Sequence, residues 1–211
     1  MRQIFHGSYH QAVNDPFNAI LNHILFIVTS MKRKFLFIFI MITIIGLLLG
    51  RSLLSQEKNE KIKIGSQVPE FSLRDQYGNV FDIKNVLGKQ NLVIYFYVKD
   101  ETPGCTTEAC TFRDMFDDFK QANAKIIGIS AQSVESHKDF AEKNQLQFTL
   151  LSDPDNSVRK MFGVKEGGGI SLPGRVTFVV NKQGKVVYTF DSQTQPAKHV
   201  TEAIRILKNL G

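Results

Sequence analysis

The stretch Val93 to Phe116, VIYFYVKDETPGCTTEACTFRDMF, constrains the chain more than any other. Six residues rich in β-branched and aromatic side chains, Val93 to Val98, read as a buried strand. Charged turn residues follow, then Pro103 and Gly104, then a helical pattern. Cys105 therefore stands where a strand hands over to a helix, with Thr106 or Thr107 expected to cap it. The unsatisfied N–H groups of a first helical turn favour negative charge, so a thiolate is favoured at that place. Both cysteines of the protein, Cys105 and Cys110, lie in this stretch.

The elements around it alternate. Phe71 to Leu73 and Val80 to Ile83 flank the turn Tyr77-Gly78-Asn79 and predict a β-hairpin. A helix is expected over Thr107 to Ala124 and a strand over Lys125 to Ser130. Next come a Ser-capped helix from Ser133 to Asn144, a strand from Phe148 to Leu151, and a short helix from Pro154 to Phe162. Val176 to Asn181 and Lys185 to Phe190, joined across Lys182-Gln183-Gly184, form the clearest hairpin, and an amphipathic helix from Pro196 to Leu210 closes the chain. Such an order implies an α/β domain of thioredoxin-like type, a central mixed sheet with helices on both faces. Gly167 to Gly169 read as a loop, since no strand leads through them into a capped helix as a phosphate-binding turn requires.

At 211 residues with 43% hydrophobic and 22% charged residues, the chain holds one globular domain and an extension. Its formal charge of +6 is unevenly placed. Residues 1 to 55 carry five Lys/Arg against the single acid Asp15, so the remainder is nearly balanced and lacks the electrostatic footprint of a nucleic-acid binder. Residues 1–34 read as an extension, and Phe35 to Gly50 is an apolar run behind Lys32-Arg33-Lys34. With Leu53 and Leu54 joined to it past Arg51, it is long enough for a transmembrane anchor or a signal segment. Met31 opens a segment that reads as complete in that sense. Residues 55–63 are a polar linker and residues 64–211 the domain. On the positive-inside rule the domain is expected outside the cytoplasm, periplasmic or lumenal, attached to the membrane or released from it.

Two cysteines are too few to staple a scaffold, and a domain of about 150 residues needs no staple. Five apart on one helix, Cys105 and Cys110 differ by about 7.5 Å in rise and about 140° in direction, beyond disulfide reach while the helix is intact. They form a switch if they react together, or are unrelated core cysteines if they do not. A metal site would need two further ligands, and the domain offers only His137 and His199. A helix-start thiolate that attacks an O–O bond needs donors to hold both oxygens in line with the sulfur. Thr102, three residues before Cys105, offers a hydroxyl. Arg175 opens the strand Val176 to Asn181; if that strand runs antiparallel beside Val93 to Val98, its start meets the end that carries Cys105. Otherwise it is a surface arginine in a Pro-Gly turn.

The run Lys99 to Cys110, KDETPGCTTEAC, continued by Phe112-Arg113-Asp114, resembles the active-site signature of the peroxiredoxins, and within them the peroxiredoxin Q or bacterioferritin comigratory protein subgroup. Leu172 to Phe178, LPGRVTF, extends the resemblance, which covers about residues 64 to 211. It implies a thiol-specific peroxidase acting on hydrogen peroxide and organic hydroperoxides. Cys105 would be the peroxidatic cysteine, Thr102 and Arg175 its partners, and Cys110 the resolving cysteine of the same chain. A thioredoxin or similar dithiol protein would be the reductant, no cofactor or metal is needed, and a monomer is expected. In one departure from the family pattern, Val98 stands where the family has proline, keeping bulk but neither the ring nor the missing N–H. A membrane-tethered thiol-disulfide oxidoreductase, which usually carries Cys-x-x-Cys, and a non-enzymatic redox sensor are the other readings of this stretch.

Overall fold

The computed structural model describes residues 20–28, 31, 38–46, 61–167 and 171–210. The chain divides into two compact units, 1–58 and 59–211. In the first unit, 20–28 and 38–46 are helical with exposed side chains. Among the described residues no helix is long and apolar enough to cross a membrane. The anchor expected over Phe35 to Leu54 is thus not sustained where it is described; the rest of that segment lies outside the described residues, as do Gly168 and Gly169 of the glycine loop.

The second unit is built on a seven-stranded sheet. Its strands are β1 (Ser72–Asp75), β2 (Val80–Asp82), β3 (Asn91–Phe96), β4 (Ala124–Ser130), β5 (Thr149–Ser152), β6 (Val176–Val180) and β7 (Val186–Asp191), in the spatial order β2-β1-β5-β4-β3-β6-β7. β3, β4 and β5 are parallel, and antiparallel pairs flank them on both sides, so the sheet is mixed as expected. The helices are α1 (Pro103–Asp114), α2 (Phe116–Gln121), α3 (Val134–Lys143), α4 (Ser157–Met161) and α5 (Pro196–Lys208). Every residue of β3 is buried, and the strand's period of two divides its side chains between two cores. Val93, Tyr95 and Tyr97 face a core completed by α1, α2, α3 and α5. Leu92, Ile94 and Phe96 face a second core completed by α4 and the first hairpin.

Three helix boundaries differ from expectation, each for a local reason. α1 starts at Pro103, where a missing N–H costs nothing, so Thr102 is the N-cap residue and Thr106 and Thr107 are already inside the helix. The expected helix to Ala124 is two helices, broken at Met115. α4 begins at Ser157 because the Asp153 carboxylate accepts from the Val158 and Arg159 N–H groups, at 3.2 and 2.9 Å, after Asn156 turns through a left-handed conformation. Ser133 caps α3 as expected, its hydroxyl accepting from Ser136 N at 3.2 Å.

α1 docks through Cys105, Ala109 and Phe112, an i, i+4, i+7 stripe. The Phe112 ring stacks on Tyr95 at 4.7 Å. Tyr95 is admitted by Gly128, its partner on β4: a Cβ there would lie 2.7 Å from the Tyr95 hydroxyl.

α5 docks beside β6 and β7 through a buried histidine. The His199 Nε2–H donates to the Ser192 carbonyl at 2.8 Å, Nδ1 accepts from the Thr177 hydroxyl at 2.8 Å, and the ring meets Phe190 edge-on. Burial, aided by repulsion from Arg175, outweighs the Ser192 bond and pulls this imidazole down to about 4. A base held neutral in the fold leaves the unfolded chain binding more protons between its ordinary value near 6.5 and 4. The native state therefore keeps its full stability above 6.5 and loses up to about 3 kcal/mol as pH falls to 4. Urea unfolding at pH 7 and pH 4 should show wild type losing about that much more than His199→Asn; equal losses would refute the account.

Candidate active site

Pairing of β6 with β3 fixes the site. Phe96 faces Val176 in the last antiparallel pair, so the residue before β6, Arg175, and the segment after β3 emerge at the same end of the sheet. The antiparallel arrangement on which the expectation for Arg175 depended is therefore present. Arg175 is 4% exposed and Cys105 1%, so their contact is made out of water.

One guanidinium spans one turn of α1. Arg175 Nη2 donates to Cys105 Sγ at 3.3 Å, and Nη1 donates to Glu108 Oε2, three residues further along the helix. Gly104 clears the approach, since a Cβ at that position would lie 3.1 Å from Nη2. The Glu108 side chain is wholly buried and its Oε1 has no hydrogen-bond partner; that oxygen lies 3.7 Å from His199 Nδ1, which is already accepting from Thr177. Burial dominates and pushes the Glu108 carboxyl up to about 8, against the pull of the Arg175 charge and hydrogen bond.

The loop between β3 and α1 is tied to α3. Asp100 is 3% exposed and accepts from the Tyr97 hydroxyl at 2.7 Å, the Ser136 hydroxyl at 2.6 Å and His137 Nδ1 at 2.9 Å. Burial alone would raise the Asp100 carboxyl, but the hydrogen bond and charge of His137 and the two hydroxyl bonds hold it below the usual range. His137 Nε2 faces the Leu151 carbonyl at 3.2 Å, so both ring nitrogens meet acceptors. At the exposed side of the same loop Glu101, at φ 61, pairs with Lys143.

Of the other residues expected at the site, Thr102 is half-buried at the start of α1 with its hydroxyl donating to the Lys99 carbonyl at 3.1 Å. Val98 is partly buried and packs on the core that holds Cys105. Cys110 is on α1 with Cys105, and both thiols are free. It is half-buried at 3.7 Å from Asn144 Oδ1, and Arg113 binds the Asn144 carbonyl at 2.8 Å. Sequence reasoning missed Glu108 and Asp100, although both stand inside the motif. A carboxylate in a polar run reads as solvated, and only the i, i+3 spacing of Cys105 and Glu108 hinted that one cation could meet both. The histidines, weighed only as metal ligands, are packing and orienting groups: His137 is held by Asp100, and His199 by Thr177 and Ser192.

The AhpC/TSA family profile matches residues 64–189. Chloroplastic peroxiredoxin Q of Oryza sativa subsp. japonica is 48% identical over 150 residues, which are 71% of this chain and 69% of that protein. Chloroplastic peroxiredoxin Q of Sedum lineare is 48% identical over 150 residues, 71% of this chain and 80% of that protein. Among solved structures, peroxidoxin BcpB of Mycobacterium tuberculosis superposes with a TM-score of 0.67 at 35% identity, over 71% of this chain and 99% of that one. A peroxiredoxin Q of Xanthomonas campestris gives 0.63 at 32% identity, over 72% and 98%. Relatives that are chloroplastic, with no membrane-crossing helix among the described residues, overturn the expectation of a membrane-anchored or exported domain facing the periplasm or a lumen. The matched length, the identity and the strand-to-helix site together establish that the chain belongs to the AhpC/TSA family and, within it, to the peroxiredoxin Q subgroup.

Proposed function

We propose that residues 64–211 form a thiol-dependent peroxidase that reduces hydrogen peroxide and organic hydroperoxides through Cys105, with Cys110 as the resolving thiol and a thioredoxin-type dithiol protein as reductant. The observation that carries this reading is the buried Cys105 sulfur at the start of α1, 3.3 Å from the Arg175 guanidinium. It places a cationic donor against the sulfur that attacks as a thiolate. The thiolate takes the distal peroxide oxygen, the O–O bond breaks, and the leaving alkoxide or hydroxide takes a proton to depart as alcohol or water. Cys105 becomes a sulfenic acid, having supplied both electrons. Arg175 and the Thr102 hydroxyl, turned from Lys99, are the donors that hold the two oxygens as charge shifts onto the leaving one.

Resolution forms an S–S bond between Cys105 and Cys110 and releases the sulfenic oxygen as water. Five residues of intact helix separate the thiols by more than a disulfide spans, so the first turns of α1 unwind before they meet. Exchange with an external dithiol then returns both thiols, and the electron flow runs sulfur to sulfur without a metal or an organic cofactor.

Cys105→Ser should abolish turnover. Cys110→Ser should complete one round and stop as sulfenic acid, detected by a dimedone adduct; steady cycling of that variant with thioredoxin would remove Cys110 from the mechanism. Arg175→Met should lower the second-order rate constant for peroxide by roughly a hundredfold or more, measured by stopped flow, with the fold kept because β6 retains its apolar residues. A loss below about threefold would assign the cation's role elsewhere.

A further inference from the structure

Arg159 is among the largest fully buried side chains of the described residues, and the reaction above makes no use of it. Taking a guanidinium out of water costs several kcal/mol unless its donors are satisfied. Here they are satisfied by backbone. Nη2 donates to the Tyr97 carbonyl at 2.6 Å, and Nη1 donates to the Gly174 carbonyl at 2.8 Å and the Lys165 carbonyl at 3.3 Å. The cation also lies over the Phe96 ring at 5.4 Å. Its own backbone is fixed by Asp153, which accepts from Arg159 N at 2.9 Å.

The acceptors are informative because of where the sheet ends. The β3–β6 ladder stops at Phe96 and Val176. Tyr97 leads into the loop that carries Thr102 and Cys105, and Gly174 precedes Arg175. Both therefore lie beyond the last ladder pair, and no strand-to-strand bond sets the distance between them. Lys165 accepts from Gly174 N at 2.8 Å as well as from Arg159, so the segment before Arg175 is held from two directions.

We propose that Arg159 is a positioning residue of the peroxide step: its guanidinium joins the Tyr97 and Gly174 carbonyls where the ladder no longer does, and so sets Arg175 against the Cys105 sulfur. Lysine cannot do this, because an ammonium is a point charge without the planar fork that meets separate carbonyls at once. The inference rests on the proposed roles of Cys105 and Arg175.

The test uses a Cys110→Ser background, in which one peroxide turnover and the alkylation of Cys105 are read on the same thiol. Peroxide reduction needs sulfur and both oxygens in line with the donors, whereas attack on iodoacetamide needs only the thiolate. Arg159→Lys and Arg159→Met should each lower the peroxide rate constant, corrected for folded fraction from a thermal melt, by roughly 30- to 100-fold. The iodoacetamide rate across pH 5 to 9 should stay within about threefold, as expected when geometry and not ionisation is lost. Free guanidinium, below concentrations that unfold the chain, should restore part of the peroxide rate in Arg159→Ala. If the Met variant does not fold, Arg159→Gln takes its place. A peroxide rate within threefold of the parent, or peroxide and alkylation rates falling by the same factor, would overturn the proposal. Arg175→Met is run beside them: if it too is unaffected, the reading of the site has failed, and if it alone is slow, only the role of Arg159 has.

Discussion

The antiparallel pairing of β6 with β3 is the constraint on which the rest depends. It delivers Arg175 to the end of the sheet where β3 passes its chain to α1, and two nitrogens of one guanidinium then meet Cys105 and Glu108. Those groups are one helical turn apart, so the contact exists only while α1 is helical. α1 is held on the sheet through Cys105, Ala109 and Phe112, whose ring packs on Tyr95, and Tyr95 fits because Gly128 has no side chain. A choice of residue on β4 is thereby linked to the geometry at a sulfur two elements away.

Burial makes this arrangement selective. A guanidinium against a thiol in water is worth little, but with both groups nearly closed to solvent the interaction is strengthened, and so is the cost of leaving either partner unmatched. Glu108 shows the cost directly: its carboxyl is raised to about 8 by burial although it faces a cation, and one of its oxygens has no donor. Asp100 shows the opposite outcome, since three donors hold its buried carboxyl below the usual range. The two acids lie eight residues apart in one motif, and donor count separates their behaviour.

Most of the fold was legible because it is written in local periodicity. The all-buried β3, the hairpin of β6 and β7 and the stripe of α5 follow from apolar spacing. The helix starts were less legible. Proline at the first position of α1 and an aspartate four residues ahead of α4 decide them, and both act through backbone N–H groups that a hydropathy pattern does not register. The apolar run after Lys34 misled for a related reason. Hydropathy states what a segment could cross if it were one long helix; among the described residues no helix is long and apolar enough to do so. Within the site, Cys105 and Arg175 could be read from position in the motif and topology. Arg159, Asp100 and His137 could not, because Asp100 and His137 meet across 37 residues and Arg159 meets the Tyr97 carbonyl across 62.

The same contact that assembles the site bears on its release. On the proposed mechanism the sulfur of Cys105 is an anion before the reaction and a neutral sulfenic acid after it. Its bond from Arg175 then ceases to be charge-assisted, a loss of about 1–2 kcal/mol. That bond ties the first turn of α1 to the residue before β6, at an end of the helix where Thr102 provides no side-chain cap. Further along the helix Phe112 remains stacked on Tyr95 and keeps its hold. Oxidation therefore weakens the helix at the end that has to unwind while leaving the other end docked. Between them Cys110 sits half-buried with a long contact to Asn144 at 3.7 Å, and on the proposed mechanism it is the thiol for which a partly opened helix is sufficient.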